Sequence, residues 1–341
     1  QPGLTLISSM WETPDGWERR VQLLDKQGET VHEWRIGYGL FENDSYLHGT
    51  HLLPNGDLVV NVEYVGTARL DACGTVQWRL PKQTHHSVAR ADDGSFWIPA
   101  QMGDPTTEYS GLDEPVRPEQ ILHVSGDGTV LDTIDVIDLL LDNGLARYVF
   151  KRHGPHPRGE LLHLNDVEPL PSTMATSYPL FDAGDLLVSL RDLHLVFVVD
   201  PQTRDVKWHA FGPFIRQHDP DFLGDGRIGV FDNNPDGTHR GTVLGGSRIV
   251  VLRPPSDSTT VLYPTARSDT FYTEAAGKWQ QLANGNLLLT EAQAGRVVEV
   301  DSVGETVWEY IRTPTEARVP EILDGTRYDL APEDVQAWPC G

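Results

Sequence analysis

One phrase recurs along this chain and constrains its fold more than any bulk property. It is a histidine or other polar residue, a short gap, Asn-Gly or Asp-Gly, then a burst of β-formers. It reads His48-Gly-Thr-His51-Leu-Leu-Pro-Asn55-Gly56-Asp-Leu-Val-Val, then His86-Ser-Val-Ala-Arg-Ala-Asp-Asp93-Gly94-Ser-Phe-Trp-Ile. It returns from His218 to Asp225-Gly226 and from Gln280 to Asn284-Gly285, each time running into a β-rich stretch. In three of the four copies a histidine stands eight residues before the turn glycine. A constant offset from a turn puts those histidines at equivalent points of equivalent units. The repeat therefore predicts several imidazoles brought to one place by symmetry.

A second phrase closes most units: Asp, two residues, Gly, a β-run, then Trp. The copies are Asp25 to Trp34, Asp71 to Trp78 and Asp301 to Trp308, with a looser version from Asp200 to Trp208 and a Trp-less one from Ser125 to Leu131. Asp-x-x-Gly between β-runs is a hairpin turn whose glycine supplies positive φ. The Trp is expected to pack on the neighbouring unit, since one indole buries much apolar area. Two hairpins per unit make a four-stranded antiparallel blade, and repeats of this length signal a β-propeller. The fold class is therefore all-β: a six-bladed propeller in one domain over 1–341, with blades at about 4–35, 46–80, 84–131, 160–209, 217–262 and 275–311. The first unit lacks an opening half, so its missing strand is expected from the C-terminal region, closing the ring. The tail 312–341 otherwise reads as loop, with a short helix after Pro332.

The segment from Thr133 to Gly144 breaks the β pattern. Ile134, Ile137, Leu140 and Leu141 fall at helical spacing, which predicts one short inserted helix across one end of the propeller. A basic patch follows from Arg147 to Arg158. The Gly/Pro/Asp-rich stretches 100–120 and 232–247 read as long loops bordering the site.

Lysine and arginine total 27 against 50 acidic residues, a formal charge of −23. That balance disfavours nucleic acid and anionic membranes as partners. No apolar run approaches the ~18 residues of a membrane span. The chain begins at Gln1 rather than Met, which suits removal of a leader. Cys73 and Cys340 are too few for a disulfide scaffold and leave two readings, one bridge to an early blade or two free thiols.

The chemistry concentrates on a few positions. His48, His86 and His218 share the repeat register, and His163 precedes Asn165-Asp166 at the start of another unit. His51 and His85 each neighbour a registered histidine, and the pleat points one of each such pair elsewhere. Arg191 sits in a run that reads as a buried strand, where a guanidinium needs an anionic partner. That partner is either Asp192 or Asp219, or an anionic substrate gripped by the guanidinium fork. Grouped neutral imidazoles support covalent catalysis or metal binding. An arginine among them favours an oxyanion site.

The order of several short motifs resembles the bacterial arylsulfate sulfotransferase family. Gln217-His218-Asp219 with Phe231-Asp232-Asn233, His163-x-Asn165, Ser189-Leu-Arg191, and His85-His86-Ser-Val match its segments, as do Gln281 to Asn286 and Gly295 to Glu309 in the last blade. The resemblance implies a six-bladed, periplasmic or secreted enzyme that moves a sulfuryl group from an aryl sulfate to a phenol without a nucleotide donor or other cofactor. It implies His218 as the sulfated nucleophile, with Arg191, His163 and His86 holding sulfuryl oxygens and moving protons. His48, Asn165 and His51 are expected to touch a small aromatic or anionic substrate. His48 is a registered histidine beyond those the family pattern requires. Two rival readings stand beside this one. The first is a metal-dependent lyase, hydrolase or oxygenase whose divalent or transition metal is held by His48, His86, His163 and His218. The second is a binding propeller with structural histidines.

Overall fold

The computed structural model describes residues 1–106, 109, 115–150, 159–316 and 318–340. Residues 151–158, most of the basic patch, lie outside that set. Six four-stranded antiparallel sheets form the blades of a β-propeller. Their axial strands are Ile322–Tyr328, Leu47–Leu52, Ala89–Arg90, Leu164–Pro169, His218–Gly224 and Lys278–Gln281 for blades 1 to 6, and most neighbouring axial strands touch one another. The blade without an opening phrase is completed from the far end of the chain. Ile322–Tyr328 pairs antiparallel with Leu4–Thr13, so blade 1 joins both termini.

Why these strands form is visible in their burial. The middle strands are sandwiched between blades and are mostly apolar: Leu58–Val62, Leu186–Leu190 and Leu195–Val199 are buried throughout, with Asn61 and Ser189 as the polar exceptions. The outermost strands face water on one side and alternate, as in Val76–Leu80. The buried apolar residues gather into six clusters, one at each contact between neighbouring blades. The closing-phrase tryptophans clip those contacts. Trp34 Nε1 donates to Asp71 O, Trp78 Nε1 to Gly126 O and Trp308 Nε1 to Lys26 O, in each case a carbonyl of the next blade's closing turn. At that turn in blade 3, a Cβ on Gly128 would lie 2.7 Å from the Trp78 ring, so the close approach needs glycine as well as its φ of +87°.

The predicted inserted helix is Val136–Asp142, capped by the Asp135 carboxylate and packed into the contact between blades 3 and 4. The short helix expected after Pro332 is Pro332–Gln336. Among the described residues, sequence periodicity did not reveal two further short helices, Ala146–Val149 and Ser172–Ala175. One turn of helix carries too few residues to show a period. No helix among the described residues is long and apolar enough to cross a membrane.

Cys73 and Cys340 form a disulfide. The tail behind it docks Trp338 against Trp34 and His32 and donates from Trp338 Nε1 to Pro54 O. The bridge thus ties the end of the chain to blade 2, beyond the strand that already closes the ring. Cys73→Ser is expected to lower unfolding free energy by about 2–4 kcal/mol while the propeller still forms. Denaturant titration with and without reductant measures this, and an unchanged midpoint would show the bridge adds nothing.

Candidate active site

Antiparallel pairing places the start of each axial strand and the end of the next strand on one face. Leu47 pairs with Val62, Leu164 with Leu190 and His218 with Phe231. His48 and His218 occupy axial strands at this end, and His86 and His163 lie just before theirs. Glu63 follows Val62 and Arg191 follows Leu190, so a carboxylate and a guanidinium come from one register position in two blades. The ladders slip immediately afterwards, between Leu47 and Thr50, Leu164 and Asp166, and His218 and Asp221. Such bulges re-aim side chains. His86 and His163 both sit at φ +53°, a left-handed conformation that costs a non-glycine residue about 1–3 kcal/mol and marks functional sites.

The four imidazoles meet at the mouth of the axial channel. Ring centroids lie 4.3 Å apart for His48 and His86, 4.8 Å for His86 and His163, and 6.2 Å for His86 and His218. With Arg191 they line a cavity of about 660 Å³. Burial above all pushes His86, His163 and His218 well below the ordinary imidazole range and His48 down to about 4, with Arg191 the next cause at His163 and His218 and Lys278 at His48. All four are neutral at pH 7.

Hydrogen bonding then fixes where their protons lie. Asn233 Nδ2 donates to the carbonyls of Thr273 and Ala276, so its Oδ1 faces His218 Nδ1 at 2.6 Å. His218 Nδ1 must therefore carry the proton, and Nε2 keeps a free lone pair. His163 Nδ1 lies 2.8 Å from Glu160 Oε1 and donates to it, which leaves its Nε2 as an acceptor. That nitrogen is 3.2 Å from His86 Nε2, which must be the donor. His86 Nδ1 in turn accepts from His85 Nδ1 at 2.9 Å. The polarity runs from His85 through His86 and His163 to Glu160. Burial pushes the Glu63 carboxyl up to about 8, so it stands neutral 3.5 Å from His86 Nδ1.

Arg191 is held rather than locked away. Its Nε donates to Asp192 Oδ1 at 2.9 Å, and its terminal nitrogens make no hydrogen bond to described residues. Asp192 is the structural partner the sequence allowed. The other, Asp219, instead takes Lys278 Nζ at 3.0 Å. The arrangement presents a guanidinium fork and imidazoles, one with a free ring lone pair, to one cavity, a set that suits group transfer through a charged intermediate.

Two residues expected to touch substrate line no part of this cavity. His51 lies three residues further along its strand, 6.2 Å from the Phe96 ring, where burial and then Arg90 and Lys278 push it down to about 4. Asn165 donates from Nδ2 to Gln217 O at 2.6 Å and so braces the backbone entering His218. The stretches 100–120 and 232–247 give no lining among the described residues. Lining comes instead from Ala275, Ala276, Gln293, residues 318–321 and Leu323. Asn233, Glu160 and Glu63 carry roles that the sequence reading did not assign. Asn233 ends the Phe231-Asp232-Asn233 segment, and counting one residue past the paired strand would have found Glu63 beside Arg191.

Residues 49–313 match the family model described as arylsulfotransferase (ASST). No curated protein matches the chain in sequence. Among solved structures it is similar to a protein of unknown function from Bacteroides caccae, at 15% identity and a TM-score of 0.62, over 94% of this chain and 97% of that one. It is also similar to a streptogramin B lyase, at 11% identity and a TM-score of 0.50, over 93% and 86%. At these identities the likeness is one of fold. With most of its length under the family model, the chain belongs to the arylsulfotransferase family.

Proposed function

We propose that this protein transfers a sulfuryl group from an aryl sulfate to a phenol through a sulfated His218. The observation that carries the reading is the bond from His218 Nδ1 to Asn233 Oδ1, which leaves Nε2 nucleophilic in a cavity shared with Arg191. In the first half-reaction Nε2 attacks sulfur and the bond from sulfur to the aryl oxygen breaks. Its electron pair leaves on the phenoxide, which takes the proton of His86 Nε2 as the neutral Glu63 carboxyl passes its own proton to His86 Nδ1, so that no imidazolate forms. In the second, the acceptor phenol gives a proton back to that imidazole and its oxygen attacks sulfur. The N–S bond then breaks and restores the lone pair. Arg191 and the His163 side hold the equatorial oxygens, where charge develops. This chemistry draws on no cofactor. The disulfide fits an oxidising compartment, and we place the enzyme in the periplasm or outside the cell.

Mass spectrometry after incubation with 4-nitrophenyl sulfate is the test. The expected result is an adduct of about 80 Da on His218, the mass of SO₃ gained on covalent catalysis. No adduct, or one elsewhere, overturns the mechanism. Ligand atoms of His48, Glu63 and His86 lie within 4.8 Å of one another, which favours a metal as the second reading. A stoichiometric metal in elemental analysis, with activity lost to a chelator, would establish that alternative.

A further inference from the structure

The cavity has two unlike halves. The imidazoles and Arg191 come from blades 2 to 5. The facing wall comes from blade 1: Met10 and Trp17 on its first hairpin, and Arg318, Val319, Pro320 and Leu323 on the segment entering its closing strand. All six lie outside residues 49–313, the span matched by the family model. In the reading above the imidazoles and Arg191 handle the sulfuryl group, and this wall is the part of the cavity left to meet the rest of the substrate.

That wall is mostly apolar and carries one cation, Arg318. The Arg318 guanidinium lies 5.3 Å from the Trp17 ring centroid and makes no ion pair with described residues; its bonds to Thr315 use only its backbone. Stacking on an indole leaves the guanidinium donors free for a carboxylate or sulfonate. The protein carries a formal charge of −23, so an anionic substrate arrives against the overall field and an unpaired cation at the mouth is a local exception to it. Glu321 lines the same wall, but burial pushes its carboxyl above the usual range, so it opposes an anion less than an exposed glutamate would.

We infer that blade 1 sets substrate choice: Trp17 and Pro320 take the aromatic ring of the phenol, and Arg318 selects phenols that bear a second, negatively charged group remote from the hydroxyl. This rests on the sulfuryl-transfer reading above. The test sets two acceptors of similar size, 4-hydroxyphenylacetate and tyramine, in competition for sulfuryl groups from 4-nitrophenyl sulfate. The anionic acceptor is expected to be favoured in kcat/KM by about two- to fivefold, the yield of one exposed charge pair. Arg318→Gln is expected to bring the ratio near one. A ratio is unaffected by how much of a variant folds. Trp17→Ala is expected to weaken both acceptors about tenfold through KM, because each loses a ring contact. A wild-type ratio of one or below, or a ratio unchanged in Arg318→Gln, overturns the inference. If the wild type forms no sulfated histidine, the sulfuryl reading fails on its own. Calorimetric titration with the same two phenols then decides the wall separately, and tighter binding of tyramine would refute it.

Discussion

His218→Ala is expected to lower turnover of an aryl sulfate by at least about ten-thousandfold, the scale on which enzymes lose activity when a nucleophile is removed. The residual rate would reflect Arg191 and the remaining imidazoles binding the sulfate without a covalent step. The fold should survive. His218 is one of many buried side chains at the axis, and the contacts between blades are made by apolar clusters that do not contain it. The variant does leave Asn233 Oδ1 buried without its donor, an expected loss of about 1–3 kcal/mol. Circular dichroism and a denaturation midpoint separate the two effects. Turnover within tenfold of wild type, in a folded variant, would take His218 out of the mechanism.

Much of this geometry is legible in the sequence because two constants tie chemistry to fold. A turn glycine fixes where a strand ends, and a set number of residues before it fixes where that strand began. His48, His86 and His218 could therefore be placed together before any coordinate, and so could the strand missing from the first unit. What escaped lacks a repeat counterpart or depends on pairing across blades. Glu160 precedes blade 4 in an insertion, and nothing in the local pattern says that His163 turns toward it. His51 reads as a site residue because it shares a strand with His48, but its ring lies near Phe96 and lines no part of the cavity. The wall from Trp17 and Pro320 belongs to the blade assembled from both chain ends, where no opening phrase exists to count from. Loops 100–120 and 232–247 looked like a rim by length and composition alone, and length does not say which loop leans over the axis.

The second large effect belongs to Arg191, and its variants separate two roles that one side chain combines. Arg191→Ala should lower kcat/KM by about a thousandfold, as loss of a fixed donor to a developing oxyanion does elsewhere. It should also move the acid limb of the pH profile. Burial is the first cause holding His218 and His163 below the usual imidazole range, and the Arg191 charge is the next. Removing that charge lets each imidazole hold its proton to a higher pH, so activity is lost nearer neutrality as pH falls. Arg191→Lys keeps the charge but not the planar fork. It should lose much of the rate while its acid limb stays near that of wild type. Measuring kcat/KM from pH 4 to pH 9 for the three proteins decides the matter. An acid limb in Arg191→Ala that stays in place would mean the guanidinium does not act on these imidazoles electrostatically. A full rate in Arg191→Lys would mean the fork is not what holds the sulfuryl group.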